Sequence, residues 1–155
     1  MMNRVKLFLA DDHPIVRDGL RFLLNAQPDM EVVGEAADGR MALQEIREVR
    51  PDIVILDIAM PVLNGIAVAE QIQELHPEIR VIILSMHATT EHIFRALRAG
   101  AEGYLVKETA GEEVLDAIRT VQAGGRYLSH EISSKVIEDY ILQRESVSEA
   151  SPLDR

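Results

Sequence analysis

The sequence predicts an α/β fold, a doubly wound sheet of five parallel strands with helices on both faces, and three observations carry that expectation. Short β-branched runs alternate with segments whose apolar residues recur at helical spacing, the pattern that builds parallel sheets through right-handed crossovers. Residues 52–61, Asp-Ile-Val-Ile-Leu-Asp-Ile-Ala-Met-Pro, hold four consecutive apolar residues, as a strand buried on both faces requires. That run ends in Asp57, a carboxylate that tolerates burial only with a partner, and ligands of open α/β sheets sit beyond the carboxyl ends of the strands.

Taken in order, residues 5–10 form the first strand, and Pro14 suits the opening position of a helix on which Val16, Leu20, Leu23 and Leu24 share a face. Gln27-Pro28-Asp29 stops it. Residues 31–36 form the second strand; Asp38-Gly39 marks a turn and helix start, with Ala42, Leu43, Ile46 and Val49 at helical spacing before Pro51. After the Asp57 strand and a loop through Pro61 and Gly65, a third helix turns Ile66, Ala69, Ile72 and Leu75 inward and ends at His76-Pro77. Residues 80–85 are a fourth strand ending in Ser85. Thr89 or Thr90 caps the next helix, which buries Ile93, Ala96 and Leu97 and finishes at Gly100. A fifth strand at 103–106 leads into Lys107, and the helix after it carries Val114, Leu115, Ile118 and Val121 as far as Gly124-Gly125.

Residues 1–124 thus make one domain, and the character changes beyond it. Ile132, Val136 and Tyr140, with Ile137 and Ile141 beside them, form an apolar stripe on a helix over about 129–143, which needs a partner surface. The run after Arg144 is polar and serine-rich, the composition of a flexible, poorly ordered tail, so 125–155 reads as a linker.

Composition narrows the function. A formal net charge of −10 argues against this chain itself gripping nucleic acid or anionic lipid. The absence of cysteine excludes disulfides and thiolate metal sites. The opening apolar run is too short for a signal peptide and no run reaches membrane-spanning length, so a cytoplasmic protein with no membrane partner is expected.

The predicted strand ends bring together Asp11, Asp12, Asp57, Ser85 and Lys107. Three converging carboxylates raise one another's pKa unless a cation holds them, and hard oxygen ligands without His or Cys point to magnesium. A metal, an ammonium and a hydroxyl around one carboxylate would stabilise phosphoryl oxygens in an in-line transfer. Singly, Asp11 and Asp12 are ordinary residues at a helix start, Ser85 a turn residue and Lys107 a surface lysine. Their joint placement at four strand ends is what singles them out.

Four segments carry a family resemblance: Leu-Ala-Asp-Asp-His-Pro-Ile-Val-Arg-Asp-Gly-Leu at 9–20, the run at 52–61 with Gly65, Leu-Ser-Met-His at 84–87, and Ala-Gly-Ala-Glu-Gly-Tyr-Leu-Val-Lys at 99–107. Over roughly 4–124 the chain resembles a response-regulator receiver domain of the NarL/LuxR type. The resemblance implies a flavodoxin-like strand order 2-1-3-4-5. It also implies that Asp57 accepts a phosphoryl group from a sensor histidine kinase, and that the domain assists its own phosphorylation and dephosphorylation without being an enzyme in the usual sense. By the same resemblance Asp11, Asp12, Asp57 and the Ala59 carbonyl would bind Mg2+ or Mn2+, and Ser85 and Lys107 would contact the phosphoryl group. Tyr104 would turn in behind Ser85 as a switch, favouring homodimerisation and control of transcription, with DNA reached only through a helix-turn-helix domain beyond Arg155. Glu108 stands where many receivers have proline, so no cis peptide is expected there. Ala59 and His87 occupy positions that modulate phosphoryl lifetime in the family.

Rival classes meet specific obstacles. A haloacid-dehalogenase-type phosphatase needs a second Asp two residues after the nucleophile, where this chain has Ala59, and so would lack its general acid. A receiver fold kept only for binding would not need the complete set of site residues. A flavin site would need a hydroxyl-rich phosphate loop after the first strand, where Asp11 and Asp12 would repel the phosphate.

Overall fold

A computed structural model describes residues 3–86 and 89–150, the last six of them in backbone only. Strands β1 (Val5–Ala10), β2 (Met30–Ala36), β3 (Ile53–Asp57), β4 (Arg80–Ser85) and β5 (Gly103–Val106) alternate with helices α1 (Pro14–Asn25), α2 (Gly39–Val49), α3 (Gly65–Leu75), α4 (Thr90–Arg98) and α5 (Ala110–Gln122). Every strand pair is parallel, and the order begins β2-β1-β3-β4-β5 as the resemblance implies.

Alternation along the strands splits the core into two layers. Phe8, Val54, Leu56, Val81, Ile83 and Tyr104 face α2, α3 and α4, whereas Leu7, Leu9, Ile53, Ile55, Ile82 and Leu84 face α1 and α5. Both faces are therefore dry, which is why the central strands are apolar at nearly every position. The helix starts follow the local chemistry: Pro14 opens α1, and Asp38, Asn64 and Thr89 cap α2, α3 and α4 by accepting a backbone N–H three residues on. Leu75 departs from expectation. As the last residue of α3 it has turned out of the core and is largely exposed.

The larger departure lies past Gly125. The sheet has a sixth strand, β6 (Tyr127–Leu128), pairing Gly103 with Tyr127 and Tyr104 with Leu128, so the five-stranded expectation is corrected to six. Gly124 makes this possible, because its φ of +97° is a turn that a side chain would strain, and it sends the chain back along β5. Tyr127 N–H donates to the Glu102 carbonyl and Ser129 N–H to the Tyr104 carbonyl, each at 3.0 Å. A two-residue strand is too short for an alternating pattern to show in sequence.

Helix α6 (His130–Ala150) follows, longer than the 129–143 expected and covering the first part of what reads as tail; residues 151–155 lie outside the described set. Its apolar stripe finds its partner in the same domain. Ile132 is fully buried and Val136 packs beside it in the layer that contains Tyr104, while Ile137, Tyr140 and Ile141 remain more than half or nearly half exposed. Among the described residues no helix is long and apolar enough to cross a membrane.

Candidate functional site

The carboxyl ends of β1, β3, β4 and β5 meet at one place, and the local sequence explains how each side chain is held there. After β1 the Asp11 carboxylate accepts the His13 backbone N–H at 2.8 Å, and Arg17 from the first turn of α1 donates to the Asp11 carbonyl while pairing with Glu35 of β2 at 2.9 Å. The loop carrying Asp11 and Asp12 is thus tied on two sides. Asp57 ends β3 and is 2 % exposed. Gly65 lets the chain return against it, since a Cβ on Gly65 would strike the Asp57 carbonyl.

The two Asp57 carboxylate oxygens have different neighbours. Oδ1 accepts the Ala59 N–H at 3.2 Å, and Oδ2 accepts from Lys107 Nζ at 3.0 Å. Lys107 also lies 2.9 Å from Asp11 Oδ2, so one buried ammonium serves two buried acids. Burial pushes the Asp57 pKa above the usual carboxylate range and nearby Asp11 adds to this, against the opposing pull of Lys107 and the Ala59 amide. Negative charge is in excess here.

Asp12 shows the same excess. Its Oδ1 is buried and accepts no hydrogen bond, although His13 Nδ1 approaches to 3.1 Å. Asp11, Asp12, His13 and Asp57 each offer one ligand atom, all within 4.8 Å of one another. Unsatisfied carboxylate oxygens converging on one point fit a divalent cation, so the cluster is consistent with a metal site.

Ser85 ends β4, buried, and Tyr104 on β5 is fully enclosed. Burial pushes the Tyr104 phenol up, opposed by its hydrogen bond with Ser85. Beside this pair a cleft of about 180 Å³ opens onto Asp57, Ser85 and Ala59, with Met86 and His92 on its rim. All the side chains singled out in the sequence are therefore gathered at or beside one cleft, except His87, which lies outside the described residues.

His13 is the residue that sequence reasoning missed. Its ring enters the acidic cluster, 3.0 Å from Asp11 Oδ1, 3.8 Å from Asp57 Oδ2 and 3.0 Å from Lys107 Nζ. An imidazole nitrogen therefore lies beside the expected oxygen ligands. The signal was adjacency: His13 directly follows the two acids, and Pro14 after it fixes where the helix begins.

Comparison with known families places this geometry. The family model for the response regulator receiver domain matches residues 7–119, most of the chain and every strand from β2 to β5 with the greater part of β1. The chain belongs to the response-regulator receiver family. It is 39% identical over 137 residues to an uncharacterized transcriptional regulatory protein, YxjL, of Bacillus subtilis, covering 88% of this chain and 63% of that protein. It is 38% identical over 151 residues to the oxygen regulatory protein NreC of Staphylococcus epidermidis, covering 97% of this chain and 69% of that one. The crystal structure of a LuxR-family two-component response regulator from Aurantimonas matches with a TM-score of 0.85 at 36% identity, over 90% of this chain and 99% of that one. The chain is a receiver of the NarL/LuxR type, and it spans roughly two thirds of the length of these curated relatives.

Proposed function

We propose that Asp57 is the phosphoacceptor of a two-component relay and takes a phosphoryl group from the phosphohistidine of a sensor kinase. One observation carries this: Asp57 is buried at the end of the central strand, held by Lys107 on one oxygen and the Ala59 amide on the other, and opens onto the cleft it shares with Ser85. An Asp57 oxygen attacks phosphorus, the phosphorus–nitrogen bond of the donor breaks, and the departing imidazole keeps the electron pair and takes up a proton from solvent. Lys107 holds the attacking carboxylate ionised against its desolvation and then faces the transferred oxygens. The Ser85 hydroxyl, at the cleft wall, donates to one of them. In this reading Asp11, Asp12, Asp57 and the Ala59 carbonyl hold Mg2+ or Mn2+, which when bound offsets the charge gathering on the phosphoryl oxygens. The domain thereby assists its own phosphorylation and dephosphorylation.

Output follows from the Ser85–Tyr104 pair. Phosphorylation adds about −1.5 to −2 charge and three acceptor oxygens, so Ser85 is drawn toward Asp57 and Tyr104 follows it. Tyr104 also holds β6 through its carbonyl and packs in the same layer as Ile132, so movement of its ring bears directly on α6 and on the surface formed by α4, β5 and α5. We assign homodimerisation or movement of α6 as the readout, and control of transcription as the end point, supported by the description of the Bacillus relative as a transcriptional regulatory protein. With a net charge of −10 this chain is not built to grip DNA, so we assign DNA contact to an output domain of the regulator. The relay places the protein in the cytoplasm with its kinase.

Incubation with acetyl phosphate and magnesium, read by intact mass and peptide mapping, tests the assignment. One phosphoryl group should appear on Asp57 and none on Asp57→Asn; undiminished labelling of that variant refutes it.

A further inference from the structure

Arg17 takes no part in the phosphotransfer outlined above, yet it reaches the backbone of the site from α1. We propose that Arg17 is a positioning residue for the cation site, setting through the Asp11 carbonyl the peptide plane from which Asp12 projects. This rests on reading Asp11, Asp12 and Asp57 as the cation site.

Asp12 is the acid with the least support of its own. Its Oδ1 is buried and accepts no hydrogen bond among the described residues, so its aim depends on the two peptide units that flank it. The unit after Asp12 is held by the His13 backbone N–H, which donates to Asp11 Oδ1 at 2.8 Å. The unit before it carries the Asp11 carbonyl, and Arg17 Nη1 donates to that oxygen. A peptide unit is planar, so holding its carbonyl fixes the direction in which the Asp12 Cα leaves it. Arg17 thereby acts on the Asp12 carboxylate through the backbone.

The guanidinium is itself held. Its Nε donates to Glu35 Oε1 at 2.9 Å, and Arg21, one turn further along α1, donates to Glu35 Oε2 at 2.6 Å. Glu35 lies on β2 beside Ala36, whose carbonyl accepts the Asp11 N–H at 3.1 Å, so Arg17 ties the loop to the same strand that holds its start. Only 18% of the Arg17 side chain is exposed. A planar fork serves two acceptors in fixed directions, which a lysine ammonium on a flexible stem does not. Charge alone would have the opposite effect on the ion: removing a cation beside the acids tightens binding of a divalent cation, whereas loss of positioning weakens it. The sign separates the two.

Calorimetry of the full chain with Mg2+ and with Mn2+ is the test, each variant first shown to be folded by circular dichroism. Arg17→Ala should weaken both ions about tenfold, the scale of losing a partner that orients a ligand. Arg21→Ala, which removes the other cation on Glu35 but no bond to the Asp11 carbonyl, should leave them unchanged or slightly tighter. In ion-free protein the Asp11 carbonyl carbon resonance should move in Arg17→Ala and stay in Arg21→Ala. Labelling by acetyl phosphate should be slow in Arg17→Ala at low magnesium and recover at saturation; a rate that stays slow at every magnesium concentration would mean a general structural defect and overturn the positioning role. Arg17→Lys, which keeps the charge but not the fork, should lose affinity in the same direction and carries the test if Arg17→Ala does not fold. Should the Arg17 variants bind the ions as tightly as wild type or more so, while Asp12→Ala binds them more weakly, Arg17 does not position Asp12 although the cation site stands. If wild type binds neither ion, the cation-site reading falls and the role of Arg17 with it.

Discussion

The acidic strand-end cluster and the β5–β6–α6 edge meet on β5, at Lys107 and Tyr104, yet they are built on opposite principles. At the edge the fit is mostly good: β6 extends the hydrogen bonding of β5 at Gly103 and Tyr104, and Ile132 is buried without a polar atom to desolvate, with the buried Ser129 hydroxyl the one polar group there that finds no partner among the described residues. At the cluster, burial works against the residues present, since Asp57 is more basic than an ordinary carboxylate and Asp12 keeps an unbonded buried oxygen. The edge contributes stability, and the cluster gives up stability to gather charge that the proposed cation and phosphoryl group would use. Misfit at the site marks function; good fit at the edge marks an extension that belongs to the domain.

That contrast is broken or sharpened by substitution. Ile132→Ala should cost about 2–5 kcal/mol in urea unfolding, because it empties a site closed on all sides. A loss below about 0.5 kcal/mol, the scale of a surface change, would mean that α6 is only loosely attached. At the cluster, Asp12→Ala should weaken manganese or magnesium binding about tenfold and slow phosphorylation while leaving the unfolding midpoint nearly unchanged. Unchanged binding by calorimetry would mean that the acids do not hold the ion.

Smaller effects follow at each end. Tyr127 on β6 donates to Glu113 of α5 at 2.8 Å, and burial with that carboxylate pushes its phenol up to about 12. Tyr127→Phe should cost about 1 kcal/mol, and absorbance titration of the wild type should show two tyrosines, Tyr104 and Tyr127, ionising above the ordinary value, the variant keeping only the Tyr104 signal. The weakest signal is the pH dependence of Asp57. Its pKa is raised in the fold, so its contribution to stability is present below the unfolded-state pKa and is lost as pH rises through the folded one. The stability of wild type relative to Asp57→Asn should therefore fall as pH climbs from the ordinary carboxylate range upward; a rise would show that Lys107 outweighs desolvation.

How much was legible in sequence follows the same divide. Asp57, Ser85 and Lys107 could be read because each closes an apolar strand, where a polar residue needs a reason, and β3, β4 and β5 could be read because a dry parallel sheet demands nearly unbroken apolar runs, whereas the half-buried edge strand β2 was marked only by Val32-Val33. Tyr127 and Leu128 could not, since two residues carry no period and their pairing depends on the turn at Gly124. The stripe on α6 was visible, but nothing in its spacing says that only Ile132 and Val136 reach the core. His13 escaped notice because its place in the cluster depends on contacts such as that with Lys107, 94 residues away.

The proposed coupling between the acidic strand ends and the β6–α6 edge runs through Ser85 and Tyr104. Amide exchange and self-association with and without berylliofluoride and magnesium, in wild type and in Ser85→Ala, test it most directly. In wild type the mimic should change exchange over residues 85–125 and in β6 and the first turns of α6, and should alter self-association; in Ser85→Ala it should bind with little of either response. A mimic that binds wild type and leaves both observables unchanged contradicts the account.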